Sequence, residues 1–331
     1  MPRHTADPRQ DATELEDRVS QVTPRWSVLV PAYNCSSYLS SSLGAVLAQD
    51  TGRDTMQIIV VDDASTDECA ATVRALGGDR VTYIRQPHNV GLVANLNTCL
   101  RYASGELVHI LHGDDILLDG FYESMGELFS RDATLGAAFC CVIHHDDRSG
   151  IDSTESPVLA TPGVLPDALR HILLTGPPTS AVVARRSAYK RLGGFDPRFT
   201  CSCEDWELWV RFATAYPIGY HPKPLVKYRF MRPDSLTARN IGNGAYARDL
   251  ALAHRIVDEY TSRAHRDILE LARNRSAEWI IANAAAPLAN AGRLAPTARN
   301  AWHALRCCSS RKHLQSAFMC LTRAIAAKAR G

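Results

Sequence analysis

Ile58-Ile59-Val60-Val61-Asp62-Asp63 decides the reading of this chain, together with its later counterpart Leu107-Val108-His109-Ile110-Leu111-His112-Gly113-Asp114-Asp115. Each is a largely apolar run that ends in two carboxylates. A strand covered on both faces reads as a continuous apolar run rather than an alternating one. In open α/β sheets, ligands bind beyond the carboxyl ends of the strands. Two such ends with four carboxylates point to a site for a cation and a polar, phosphate-bearing ligand.

Around these runs the pattern alternates. Trp26 to Val30 reads as a strand ending at Pro31-Ala32-Tyr33-Asn34. Ser36 or Ser37 can cap a helix with Leu39, Leu43 and Leu47 on one face. After the Asp62-Asp63 strand come a helix over Ala70 to Leu76 and a strand over Val81 to Arg85. Asn89-Val90-Gly91 turns into a helix running to about Tyr102, and a further helix follows the Asp114-Asp115 strand near Gly120 to Phe129. Strand and helix in alternation predict an α/β fold, a mostly parallel sheet flanked by helices. Farther on, Ala138 to Ile143, Thr179 to Ala184 and Leu225 to Phe230 read as strands, and Glu204 to about Ala215 as an amphipathic helix. From about Asn243 the chain is Ala- and Arg-rich with helical periodicity, expected to break at Pro287 and Pro296. The boundaries expected are a disordered arm over 1–24, a sheet domain over 25–235 and a helical C-terminal region over 236–331.

The chain has 331 residues, 46% hydrophobic and 22% charged, with a formal net charge of +2. That is ordinary for a globular protein and leaves room for a large core. The charge is unevenly spread: after Glu278 no Asp or Glu occurs, while Arg293, Arg299, Arg306, Arg311, Lys312, Arg323, Lys328 and Arg330 remain. Such asymmetry suggests a surface for a negative partner: an interfacial helix meeting anionic lipid headgroups is one reading, a helical lid or dimer contact with a solvated Arg face is the other, and no nucleic acid is expected. The ten cysteines lack metal-finger spacing, which favours reduced thiols in a cytoplasmic protein. No apolar run approaches a membrane span, and the polar N-terminus does not read as a secretory signal.

The chemistry has to come from carboxylates. No Gly-x-Gly-x-x-Gly follows the first strand, and no Gly-x-x-x-x-Gly-Lys-Ser/Thr occurs. Without a glycine cradle, a carboxylate-bound divalent cation is the natural way to hold phosphates. Asp114 or Asp115 can ligate such an ion, although Gly-Asp-Asp is also good turn chemistry. Asp62 or Asp63 can accept hydrogen bonds from a ribose or a base, while Ser65 and Asp67 serve as helix caps. Glu204-Asp205, at a helix start, offers a general base, but acidic residues there are also stabilised by the helix dipole. Trp206 could stack on a sugar; core packing is the better reading for both Trp206 and Trp209.

The order of these motifs matters more than any one of them: Val30-Pro31-Ala32-Tyr33-Asn34, Val60-Val61-Asp62-Asp63-Ala64-Ser65-Thr66-Asp67, Asn89-x-Gly91, Ala103-Ser104-Gly105-Glu106, Asp114-Asp115, Gly193-Gly194-Phe195-Asp196 and Glu204-Asp205-Trp206-Glu207-Leu208-Trp209. Over about residues 25–235 this set closely resembles the family 2 glycosyltransferases of the GT-A fold. The resemblance implies an inverting transferase that uses a nucleotide-diphosphate sugar and Mn²⁺ or Mg²⁺, acting on a glycan or lipid-linked acceptor. It implies that Pro31, Tyr33 and Asp63 contact the nucleotide, that Asp114 binds the metal, and that Asp205 is the catalytic base. Tyr228-Arg229 would begin an element that closes over the diphosphate.

The chain departs from the family pattern at three places. His112 stands where the acidic metal motif usually has its first Asp, and could bond ribose or phosphate. Leu96 replaces a common Arg, and Met231 or Arg232 replaces a common His. Arg232 can still pair with phosphate. Two other readings stay open. A nucleotidyltransferase would open with a Gly-rich, basic loop that Pro31-Ala32-Tyr33-Asn34 does not provide. A non-catalytic binding subunit has only His112 and Leu96 in its favour.

Overall fold

A computed structural model describes residues 23–200, 202–230 and 235–329. The expected N-terminal arm, up to residue 22, lies outside the described residues, as do Met231 and Arg232. The leading strands are β1 (Trp26–Ala32), β2 (Met56–Asp62), β3 (Thr82–Arg85) and β4 (Leu107–Ile110). All are parallel, in the order β3-β2-β1-β4. The helices between them are α1 (Ser36–Leu47), α2 (Cys69–Gly77) and α3 (Leu92–Tyr102).

β1 shows why the reading from apolar runs succeeds. Val28 and Val30 pack into one core layer with Ile58 and Val60, while Leu29 packs into the other with Ile59 and Val61. Both faces of these central strands are buried, so no polar alternation appears in the sequence. Burying one such side chain is worth about 1.5–3 kcal/mol, and two layers of them anchor the strand ends from which the site loops leave.

Beyond β4 the sheet becomes mixed, as far as β5 (Ile116–Leu117), β6 (Ala137–Asp146), β9 (Val182–Arg185) and β10 (Ile218–Phe230). β9 is antiparallel to both β4 and β6, whereas β10 runs parallel to β6. Two short strands, β7 (Ile151–Thr154) and β8 (Gly163–Val164), pair with β6 and β10. β10 starts well before the expected Leu225 and carries register shifts around His221 and Pro224. A proline has no N–H for the ladder, so the pairing slips there. The helices of this half are α4 (Phe121–Arg131), α5 (Ala168–Leu174), α6 (Arg186–Leu192) and α7 (Glu204–Ala215).

The helical C-terminal region comprises α8 (Leu236–Asn243), α9 (Ala245–Tyr260), α10 (Arg266–Ile280), α11 (Ala286–Asn290), α12 (Leu294–Cys307) and α13 (Arg311–Lys328). Pro287 does not break the chain as expected. A π-helical segment, Ile281–Ala285, leads straight into α11, with Pro287 at its N-terminal end. The π segment just before Pro287 is the local irregularity that accommodates it within a continuous helical run, whereas Pro296 lies in the first turn of α12, where a missing N–H bonds nothing.

Candidate active site

The loops leaving β1, β2 and β4, the N-terminus of α7 and the end of β10 form the candidate site. Four non-glycine residues among those described have positive φ, and three of them, Asn34, Ala64 and Cys203, sit in these loops. Backbone strain of this kind collects where loop geometry is constrained by a site.

The two Asp-Asp pairs are held differently. Asp62 is wholly buried. One of its oxygens accepts the Ser65 N–H and hydroxyl, and the other accepts Tyr83 and Arg85. It therefore faces inward and stitches the loop. Asp63 spans to the next loop: Oδ1 accepts the Val90 N–H at 2.7 Å and Oδ2 the Gly91 N–H at 2.9 Å. These donors lie just before α3, so the carboxylate also lies near the positive end of its dipole. Asp67, read as a cap for the next helix, bridges two helices instead. It accepts the Cys69 N–H at 3.2 Å and, across the site, the Ser36 N–H at 2.8 Å. The expected serine side-chain cap of α1 is not used. Pro31 is buried in β1 opposite Val61, while Tyr33 is 47% exposed and stands at the rim.

At the second pair, His112, Asp114 and Asp115 bring one ligand atom each to within 4.8 Å of one another. Asp115 is buried, and its two oxygens accept the Ser180 hydroxyl at 2.5 Å and the Arg229 N–H at 2.9 Å. Burial, and then the adjacent Asp114, push the Asp115 carboxyl up to about 8. The Nε2 of His112 is buried without a hydrogen-bond partner among the described residues. An orphaned imidazole nitrogen beside carboxylates is a donor set that suits a divalent cation. Asp115 is already engaged on both oxygens, and the buried His112 Nε2 is the atom of this group without a hydrogen-bond partner among the described residues.

Glu204 and Asp205 open α7. Glu204 is buried, its Oε2 unpartnered, and burial with the neighbouring Asp205 and Asp249 pushes its carboxyl up to about 8. Asp205 is less enclosed. Its Oδ1 accepts the Trp206 N–H at 2.7 Å and its Oδ2 the Thr179 hydroxyl at 3.3 Å. Burial raises its carboxyl above the ordinary Asp value, opposed by the Trp206 N–H and by the nearby His112. Asp205, almost a hundred residues downstream, thus shares its surroundings with the His112–Asp115 loop. The phenol of Tyr228 is held above its usual value by burial and by the Asp115, Asp205 and Asp114 carboxylates, which places it among the same groups.

Arg229 ties the end of β10 to the site. Its Nε donates to the Asp114 carbonyl at 3.3 Å, one terminal nitrogen pairs with Asp147 at 2.5 Å, and the guanidinium lies 5.0 Å over the Tyr38 ring. Trp206 packs as expected of a core residue: its indole N–H donates to the Ile172 carbonyl at 3.1 Å and its edge meets His254. Trp209 is buried at 2% exposure. Leu96 is in the core, between Asn95, bonded to the Val61 carbonyl, and Asn97, which exchanges two hydrogen bonds with the Phe195 backbone.

Sequence reading missed Thr179 and Ser180. They looked like the start of a strand, but form a 3-10 turn before β9. Their hydroxyls reach Asp205 and Asp115 respectively. Two adjacent hydroxyl residues after Pro177-Pro178 were the available signal, a turn rather than a strand start. The C-terminal helices were missed as supports for the α7 loop. Asp249 accepts the Thr200 hydroxyl at 3.3 Å, and Tyr260 bonds the Glu207 carbonyl at 3.3 Å.

Among the described residues no helix is long and apolar enough to cross a membrane. Residues 27–193 match the family described as Glycosyl transferase family 2. The chain is 29% identical over 204 residues to the putative glycosyltransferase EpsE of Bacillus subtilis (strain 168), which covers 60% of this chain and 70% of that protein. The crystal structure of S. aureus TarS 1-349 in complex with UDP-GlcNAc superposes with a TM-score of 0.71 at 16% identity, covering 92% of this chain and 89% of that one. The mannosyltransferase PcManGT from Pyrobaculum calidifontis, in complex with GDP-Man and Mn²⁺, superposes with a TM-score of 0.59 at 21% identity, covering 97% and 92%. These two structures share the fold, a GT-A-type sheet flanked by helices. By the family match and by its curated relatives, the chain belongs to glycosyl transferase family 2 and is a glycosyltransferase.

Proposed function

We propose that this glycosyltransferase moves a sugar, with inversion, from a nucleotide-diphosphate sugar to a hydroxyl of a glycan or lipid-linked acceptor. The observation that carries the reading is the Thr179-Ser180 turn, whose adjacent hydroxyls hold Asp205 on one side and the Asp114-Asp115 loop on the other. A base and a diphosphate-binding loop brought together across a small space are what direct displacement at an anomeric carbon requires.

In this reading Asp205 takes the proton of the acceptor hydroxyl as its oxygen bonds to the anomeric carbon. The bond from that carbon to the diphosphate oxygen breaks, and the nucleoside diphosphate departs. Attack from the side opposite the departing diphosphate gives inversion, which requires Asp205 and Asp114 to stand on opposite sides of the sugar. Asp114, with His112 beside it, would hold Mn²⁺ or Mg²⁺. When bound, such an ion neutralises charge on the departing diphosphate and replaces the acid that a glycosidase needs. Pro31, Tyr33 and Asp63 line the nucleotide side. Asp63 presents a carboxylate whose orientation is fixed by Val90 and Gly91. Asp62, Asp115 and Glu204 are supports, and Arg229 positions the Asp114 loop.

In this reading the sheet domain carries the transfer chemistry, and α9 braces it through Asp249 and Tyr260, which bond Thr200 and Glu207. A cytoplasmic location suits ten cysteines that lack metal-finger spacing and read as reduced thiols. A lipid-linked acceptor would bring the enzyme to a membrane surface, and the basic C-terminal region is the part of the chain suited to meet one.

The test is nucleotide release from a panel of nucleotide sugars, with and without Mn²⁺ and with candidate acceptors. Metal-dependent release that Asp205→Asn abolishes while nucleotide binding survives supports the reading. Release untouched by that substitution removes Asp205 from the base role. No nucleotide binding by either form leaves a binding subunit instead.

A further inference from the structure

α13 is built inside out. Its inward face consists of His313, Ala317, Cys320 and Ala324, all small or polar. Its larger apolar side chains point away from the protein: Leu314 is 51% exposed, Phe318 67% and Ile325 56%. With the half-buried Leu321 these positions are spaced four, three and four residues apart, which makes one straight stripe along the helix. Trp302, on the preceding α12, is 62% exposed, while Ala301 and Ala304 of that helix are buried. Scattered exposed apolar residues are normal in a soluble protein, but a continuous helical stripe is not.

The charges around the stripe say what covers it. Lys312 pairs with Glu278 at 2.6 Å, and Glu278 is the last acidic residue of the sequence. Arg306, Arg311, Arg323 and Lys328 are exposed and in no ion pair among the described residues. A second copy of the chain would bring the same positive charge against itself. An apolar stripe among exposed cations, its last acidic neighbour in the sequence already taken up by Lys312, matches a surface that is apolar inside and negative outside.

We propose that α13, with Trp302 of α12, docks in the interface of a bilayer that carries anionic headgroups. Phe318, Leu314 and Ile325 enter the acyl boundary, and the arginines and Lys328 lie at the phosphate level. This deepens the reading of the enzyme as one that meets a lipid-linked acceptor, but it needs no turnover. Vesicle binding and nucleotide release can therefore fail separately.

The test is co-sedimentation of the full chain with vesicles of phosphatidylcholine alone, or with added phosphatidylglycerol, at low and high salt. Binding to the anionic vesicles that weakens with salt is expected. The double substitution Leu314→Ser with Phe318→Ser should lower partitioning about tenfold or more, since each removes most of an inserted apolar side chain. Circular dichroism checks that the variant is folded. Should it fail to fold, Arg306→Gln with Arg323→Gln supplies the second arm and should remove the preference for anionic vesicles. Equal binding to both vesicle types overturns the proposal, as does unchanged partitioning of the folded serine variant. A solution dimer that dissociates in that variant, with no vesicle binding, assigns the stripe to a second copy and also overturns it.

Discussion

Ser180 donates its hydroxyl to the buried carboxylate of Asp115 at 2.5 Å, and accepts the backbone N–H of His112 at 3.1 Å. One side chain therefore fixes both ends of the loop that displays Asp114. Ser180→Ala leaves Asp115 short of a donor inside the protein, a loss of about 1–3 kcal/mol. We expect a lower melting temperature, and weaker Mn²⁺ binding by titration calorimetry, with the fold retained by circular dichroism. Unaltered metal affinity would mean that the loop keeps its shape without this bond.

Asp205 should set the acid limb of the pH–rate profile. Burial raises its carboxyl above the usual Asp value. A base works only when deprotonated, so activity is retained above that raised value and falls as pH drops through it. Asp205→Asn should lower turnover by about 10²–10⁴ and remove the limb, with donor binding preserved. An acid limb that persists in any residual activity of the variant would have to be assigned to another group.

His254 of α9 makes the support of α7 sensitive to acid. It is buried, its Nε2 lies 2.8 Å from the Ser276 hydroxyl, and its ring meets Trp206. Burial, aided by Arg273, pushes it down to about 3 from 6.5. Between these values the unfolded chain binds a proton that the folded chain does not. Stability is full above pH 6.5 and is lost as pH falls toward 3. Denaturant melts of His254→Gln should show a shallower loss over that window than the parent protein.

Gly194→Ala should destabilise without touching the chemistry. A Cβ at Gly194 would overlap Asn97 Oδ1, the atom that accepts the Phe195 N–H at 2.9 Å. Displacing Asn97 costs this bond and its reciprocal, from the Asn97 amide to the Phe195 carbonyl, also at 2.9 Å. A loss of about 1–3 kcal/mol is expected in a denaturant melt. Stability equal to the parent would show that Asn97 can turn aside.

The α/β core was legible because its signals are local. Ile58 to Val61 and Leu107 to Leu111 are apolar whichever way they face, since both faces of those strands are covered. The antiparallel insertion of β9 between β4 and β6 was not legible, because nothing in Val182-Val183-Ala184-Arg185 records its neighbours. The helical run does break just before Pro296, but it continues through Pro287, where a π segment takes up the irregularity. Asp67 shows the same limit for caps. Its chemistry was recognised, but its second partner, Ser36, lies in a loop brought near only by the sheet.

Family, the alternating order of strands and helices, and the carboxylates at strand ends are all readable along the chain. All of these are carried by residue type and spacing along the chain. Which partners each carboxylate finds is set by the packing of distant segments. Asp62 is turned inward by Ser65, Tyr83 and Arg85, and Asp63 is fastened to Val90 and Gly91. Asp115 is engaged on both oxygens by Ser180 and Arg229, while Asp114 and His112 each bring a ligand atom to within 4.8 Å of it. Neighbouring identical residues differ in this way because hydrogen-bond donors from distant segments reach one and not the other, and a linear pattern holds no record of that approach.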